Sequence, residues 1–244
     1  MEELEFIRHL ESNIKRYYES KVIITPFLDE HYGALLEDIA NKNGVIYYKD
    51  GGIINSERNR YILSLFDVNK SDFKINIYKV KYNKKYYDIS HRNILGSLMS
   101  LGIKRECIGD IIVDDDIYIA ITEEISSFIE AEFKYVGKAP IELELYKGVV
   151  EATIKYDEKK DFVTSLRLDL IVSTITNISR SKSQEILQNK DVMVNYIINQ
   201  NPSYQIKDND IISVRHYGKY KIELTDSVSR SGKYLIKILK RVWC

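Results

Sequence analysis

Apolar positions recur at two different periods along this chain, and the changes of period mark out its elements. Leu4, Ile7, Leu10, Ile14 and Tyr17 or Tyr18 fall at helical spacing, which predicts an amphipathic helix with a charged outer face over residues 1–18. Val22 to Thr25 reads as a short extended piece. Pro26-Phe27-Leu28-Asp29 then opens a second helix with Leu35, Leu36 and Ile39 inward. Val45 to Tyr48, ending at Gly51-Gly52, and Tyr61 to Phe66 read as strands. Between them Ser56-Glu57-Arg58-Asn59-Arg60 has two readings, a phosphate contact or a solvated or salt-bridged face.

From Asp72 the pattern sharpens. Phe73 to Tyr82 alternates as a strand, and His91 to Leu101 carries Ile94, Leu95, Leu98 and Leu101 as a helix stopped by Gly102. Asp110 to Val113 and Ile117 to Ile121 are strands joined at Asp114-Asp115-Asp116. Glu123 to Tyr135 reads as a helix closed by Gly137, and Ile141 to Tyr146 as a strand. Strand, helix, strand, strand, helix, strand is the order of a ferredoxin-like unit, shared by RNA-recognition motifs. The aromatic signature of those motifs is missing, because Ile117-Tyr118-Ile119-Ala120-Ile121 offers one aromatic only. Secondary RNA contacts are therefore expected from His91 and Arg92 at the helix entrance and from Lys104 and Arg105 after its end.

In the last third, Leu168, Ile171, Val172 and Ile175 form one helix face. Thr176 and Asn177 break the pattern, and Ser179 or Ser181 caps a second helix with Ser183, Ile186 and Leu187 inward. Gln184 stands three residues after Ser181, as in a capping box. Arg180 and Lys182 in its first turn oppose the positive end of the helix dipole, a misfit that a bound anion would relieve. Val192, Val194 and Ile197 then alternate as one strand, Asn199 to Ser203 turn around Pro202, Asp208-Asn209-Asp210 makes a tight turn, and Ile211, Ile212 and Val214 form another strand. Ile222 to Leu224 is strand-like. The tail from Lys233 to Trp243 reads either as a basic amphipathic helix, able to lie on a membrane surface, or as a strand alternating Tyr234, Ile236 and Ile238. The serine-rich turn from Asp226 to Gly232 favours the hairpin. The expected fold class is α+β, with regions at 1–71, 72–160 and 165–244.

Charge changes this picture more than composition does. Lys+Arg and Asp+Glu are equal at 36 each, yet from Ser165 onward there are 13 basic and 7 acidic residues, so the last third is net +6 and the rest net −6. A basic footprint confined to one end fits nucleic-acid binding there. No apolar run approaches the ~20 residues of a membrane span, and MEELEFIRHLE is no signal peptide, so the expected location is cytoplasmic. Cys107 and Cys244 have no metal spacing, nor do His9, His31, His91 and His216, and no metal or cofactor is expected.

Arg167-Leu168-Asp169, Ser179-Arg180-Ser181, Val192-Met193-Val194-Asn195, Pro202-Ser203 and Asp210-Ile211-Ile212-Ser213-Val214-Arg215 together resemble an S4-like RNA-binding domain. Lys190-Asp191, Tyr196 and Asn209 stand where that family usually has glycine. Phe27-Leu28-Asp29, Gly51-Gly52, Glu57-Arg58 and HRNILGSLMSLGIKRECIGDI from His91 extend the likeness, so that nearly the whole chain resembles the YlmH family of bacterial proteins. The resemblance implies an RNA-binding middle region and a terminal module that binds the large ribosomal subunit and tRNA when translation stalls. It also implies an association with cell division, and a basic hairpin for the tail.

Enzyme chemistry finds little support. Arg167-Leu168-Asp169 superficially matches a pseudouridine-synthase motif, but a helix follows instead of that motif's glycine and leucine. Ser181-Lys182-Ser183 lacks the histidine motif of a tRNA synthetase, and no nucleotide-binding glycine loop is present. The expected function is non-catalytic binding of ribosomal RNA or tRNA. Arg167, Arg180, Lys182, Lys190, Arg215 and Lys219 neutralise phosphates, Ser179, Ser181 and Asn195 donate hydrogen bonds, and Asp169 pairs with Arg180 or caps backbone groups. Two rivals are a division-related protein adaptor and an RNA-modifying enzyme with an unrecognised site.

Overall fold

The computed structural model describes residues 3–19, 22–228 and 232–242. Trp243, Cys244 and residues 229–231 of the expected serine-rich turn lie outside them. Contacts divide the chain into two units, 1–153 and 154–244. The sequence pattern had suggested three regions.

In the first unit, α1 (Glu3–Tyr18) and α2 (Glu30–Lys42) flank β1 (Ile23–Ile24), and β2 (Tyr47–Asp50) and β3 (Arg60–Leu63) follow. These strands form an antiparallel sheet ordered β1-β3-β2. Asp29 caps α2 by accepting from Tyr32 N at 3.0 Å, so Pro26 to Asp29 lead up to the helix without joining it. Leu10, Ile14 and Tyr17 of the predicted stripe bury against Leu36 and Leu63, but Phe6 joins them where Leu4 and Ile7 were expected, Leu4 and Tyr18 being exposed and Ile7 half-buried.

The chain continues through β4 (Ile75–Tyr82), α3 (His91–Ser100), β5 (Ile108–Val113), β6 (Ile117–Thr122), α4 (Ser126–Glu132), β7 (Tyr135–Val136) and β8 (Ala139–Leu145). The sheet is antiparallel throughout, in the order β5-β6-β4-β8-β7. Tyr78, Val80, Ile117 and Ile119 share a core with Ile94 and Leu98 of α3 and with Ile129 and Phe133. The helix expected over Glu123 to Tyr135 is shorter. It starts as a 3-10 turn at Glu123–Ile125 and stops at Glu132, because Tyr135 and Val136 pair with Pro140 and Ala139 around Gly137, whose φ is +59°. The other sheet face is covered too: Ile77 and Ala120 pack with Phe27, Ile53, Val150 and Ala152.

In the second unit β9 (Lys155–Val163), α5 (Leu168–Thr176), α6 (Arg180–Gln188), β10 (Val192–Val194), β11 (Ile197–Ile198), β12 (Ile211–Val214), β13 (Gly218–Val228) and β14 (Tyr234–Val242) form two helices and an antiparallel sheet ordered β11-β10-β12-β13-β14-β9. The tail is therefore a strand, paired with β13 on one side and with β9 on the other. Residues 155–160, expected to end the middle region, belong to this sheet. Leu168, Ile171, Val172 and Leu187 are fully buried against Val192, Ile212, Ile222 and Ile236, each such side chain contributing about 1.5–3 kcal/mol. The single strand expected from Val192 to Ile197 is a hairpin, turned at Asn195 and Tyr196 with φ of +48° and +68°. Two successive positive φ values give the strand reversal its twist.

Candidate nucleic-acid interface

Asp169 organises the basic end of the second unit. Its side chain is fully buried in the first turn of α5, and three donors converge on it. Arg167 Nε lies 3.1 Å from Oδ1, while Arg180 Nε at 2.9 Å and Gln184 Nε2 at 3.1 Å reach Oδ2. Burial alone would push this carboxyl up, but the hydrogen bonds from Arg167, Arg180 and Gln184 outweigh it and hold the group well below the usual carboxylate range. One carboxylate thus aims two guanidinium groups, each with part of its surface left in solvent. Gln184, expected to close a capping box, serves this clamp instead.

Ser179, not Ser181, caps α6. Its Oγ accepts from Lys182 N at 3.2 Å and lies 3.0 Å from the Ser181 hydroxyl. Buried Ser183 shares its one hydroxyl proton between Asp169 O at 2.7 Å and Arg180 O at 2.8 Å, locking the α6 entrance against α5. The first turn of α6 holds no acidic residue, so Arg180 and Lys182 oppose the dipole as expected. Lys182 Nζ contacts Glu185 at 2.7 Å. That bond, and more weakly the Tyr217 phenol, raise the ammonium pKa, which places the β12–β13 turn near the α6 entrance.

The remaining predicted residues sit on the neighbouring turns. Arg215 is exposed, with its NH1 3.4 Å from Asp191, and its backbone N–H donates to Asp191 O. Lys190 is exposed at the end of α6, and the Lys219 ammonium stands 5.2 Å from the ring centre of Tyr196. Asn195 is exposed, but its amide donates to Asp210 Oδ1 at 2.8 Å and accepts from Ile211 N at 2.9 Å, an internal tie that shapes the β10–β11 turn. In the tail hairpin, Lys221 pairs with Glu223 and Lys237 with Glu158 and Glu223, so much of its basic character is offset.

In the first unit His91 and Arg92 are exposed in the first turn of α3, behind the Ser90 cap, and Lys104 is exposed beside Glu106. Although the ring is exposed, partial desolvation and then the Arg105 charge push the His91 pKa down, favouring the neutral ring. Arg105 is not a free surface cation, since its NH1 donates to Ile108 O at 2.6 Å and to Gly109 O at 3.2 Å. Arg58 and Arg60 also turn inward, and Arg60 has the salt-bridged reading, paired with Glu124. Arg58 donates to Ile108 O and Phe27 O, and Arg60 to Thr25 O and Lys74 O, with Glu124 alongside.

Residues 69–148 match a family model described as "Putative RNA-binding domain in YlmH". The chain is 28% identical over 228 residues to the Ribosome-associated protein quality control protein P2 of Bacillus subtilis strain 168, covering 91% of this chain and 88% of the relative. Residues 69–148 of the chain, and the relative that spans most of it, are similar to YlmH proteins. Among solved structures, this chain is similar to the Cell division protein ylmH from Streptococcus pneumoniae, with 29% identity and a TM-score of 0.52 over 60% of this chain and 92% of that one. Among the described residues, no helix is long and apolar enough to cross a membrane.

Proposed function

We propose that this protein is a non-catalytic, cytoplasmic RNA binder that grips folded ribosomal RNA or tRNA on the large ribosomal subunit with the α6 entrance and the turns beside it. The observation that carries this reading is the Asp169 clamp, which fixes Arg167 and Arg180 next to the first-turn N–H groups of α6, groups that have no intrahelical acceptor. Two helices on an antiparallel sheet, with positive φ at Lys190, Tyr196 and Asn209, support an S4-like module. The order β5-β6-β4-β8 supports a ferredoxin-like middle region. Its second face is filled by the protein's own side chains, so any RNA contact there falls to His91, Arg92 and Lys104.

Arg167, Arg180, Lys182, Lys190, Arg215 and Lys219 supply the phosphate contacts, and the Ser179 and Ser181 hydroxyls set register. A-form RNA is read mostly through shape and 2′-hydroxyls, so little base selectivity follows. The relative named for ribosome-associated quality control fits such a task. The deciding experiment is sedimentation of cell lysate on a sucrose gradient with wild type and an Arg180→Ala, Lys182→Ala variant. The wild type is expected with the large subunit and the variant near the top; both at the top would remove the ribosomal reading. The cell-division relative favours a second reading, a division-related protein adaptor. Capture of a division protein that survives ribonuclease would support that instead.

A further inference from the structure

The β10–β11 hairpin reverses in two residues, Asn195 and Tyr196, between the paired positions Val194 and Ile197. Their φ values are +48° and +68°, a turn of the kind that Asn-Gly fills best. Asn195 suits its place. Its side chain donates to Asp210 Oδ1 at 2.8 Å and accepts from Ile211 N at 2.9 Å, which ties the reversal to β12. Tyr196 does not suit its place, because a bulky side chain in the left-handed region crowds the backbone carbonyl that follows. Glycine would take the same backbone without strain. With the reversal already fixed by Asn195, the strain at Tyr196 is carried for the sake of its ring.

That ring is half-buried, and the Lys219 ammonium of β13 stands 5.2 Å from its centre. An ammonium–ring contact at an exposed site returns less than such strain costs, so it is not by itself the reason for the ring. The carboxylate beside the turn does not repel an anion there: Asp210 is buried, and its oxygens accept from the Asn195 amide and from Lys207 N. A part-exposed ring next to a cation, on a reversal with a locked backbone, can hold one nucleotide of a single strand. The cation takes the phosphate and the ring takes the face of the base. Paired bases offer no such face, since their neighbours in the stem already cover it.

We propose that Tyr196 stacks one unpaired base of the bound RNA, with the adjoining phosphate on Lys219, so that the β10–β11 turn selects a bulged nucleotide over a continuous stem. This rests on the RNA-binding reading of the second unit and adds a base contact to its phosphate contacts. Stacking accepts any base, so the selection is for unpaired over paired and not for one sequence.

The test is fluorescence anisotropy of the full chain at one fixed salt concentration, with a labelled, fully paired RNA duplex and the same duplex carrying a single-nucleotide bulge. The wild type is expected to bind the bulged duplex about tenfold more tightly, the effect of one stacked base. Tyr196→Gly should lose that preference and keep its affinity for the paired duplex, and Tyr196→Phe, which keeps the ring, should retain the preference. Circular dichroism confirms that each variant is folded. Should Tyr196→Gly fail to fold, Tyr196→Asn, which tolerates the left-handed backbone and has no ring, takes its place. Equal binding of the two duplexes by the wild type overturns the proposal, as does a ringless variant that keeps the preference. Loss of the preference in Tyr196→Phe also overturns it, since the hydroxyl and not the stacked ring would then make the contact. A wild type that binds neither duplex overturns the RNA-binding reading itself, and this proposal with it.

Discussion

Lys190 has φ of +64°, a conformation that suits glycine and strains a side chain. It ends α6 in a two-bond lock, Lys190 N donating to Leu187 O and Asp191 N to Ile186 O, the pairing of a Schellman motif in which glycine usually takes the left-handed position. Tyr196 and Asn209 take the same kind of conformation where the S4-like pattern has glycine. Lys190→Gly should therefore leave stability unchanged or raise it by up to about 1 kcal/mol, the relief of left-handed strain being offset by glycine's extra chain entropy. Urea unfolding reads this directly. A loss of stability would mean that the lysine side chain holds a contact of the fold. Weaker RNA binding by a variant of undiminished stability would show that its charge, not its backbone, serves the interface.

The α5–α6 pair is where an ion-pair clamp and a helix entrance meet, and its stability is tied to pH through Asp169. Because the folded-state carboxyl is held below its ordinary value, its stabilisation is complete above about pH 4, near the unfolded reference. It is lost as the pH falls through the folded-state value. Asp169→Asn removes charge-assisted hydrogen bonds worth about 2 kcal/mol at neutral pH, and its stability should decline less steeply than the wild type's on acidification below pH 4. Urea titrations at pH 7 and pH 3 check both parts; equal acid sensitivity of the two proteins would refute the clamp. Much of this element was legible in the sequence, since Leu168, Ile171, Val172 and Leu187 fall at helical spacing and Asp169 was an evident partner for Arg180. The β10–β11 reversal was not, because Asn195-Tyr196 lacks the glycine that usually marks two positive φ values. Nor was β9: Lys155 to Asp161 lies at a sheet edge, mostly in solvent, so its charges carry no apolar alternation and its strand character comes from backbone pairing with β14. Arg58 was noticed in the sequence, but not its inward turn, because the carbonyls that hold it lie 31 to 50 positions away.

At the scale of the whole molecule, the chain's charge asymmetry follows its division into two units. The core around Leu168, Ile212 and Ile236 draws only on residues of 154–244, and the other cores only on residues of 1–153. Each unit therefore has the apolar burial to fold without the other. The strand β9 is essential to this division, because a cut at residue 165 would strip Lys155–Val163 from β14 and leave nine register pairs unmade. A fragment of 154–244 is expected to give a cooperative urea transition and to sediment with the large subunit in a gradient at low salt, whereas 165–244 should unfold at lower urea or aggregate through its bared edge. Raising the salt should weaken the 154–244 fragment's binding steeply. Arg180→Ala in that fragment should lower the slope of log affinity against log salt by about one, the signature of one lost phosphate contact. A folded 154–244 that stays at the top of the gradient while the full chain sediments would place the main ribosome contact in the first unit, and the basic end would then be a minor partner.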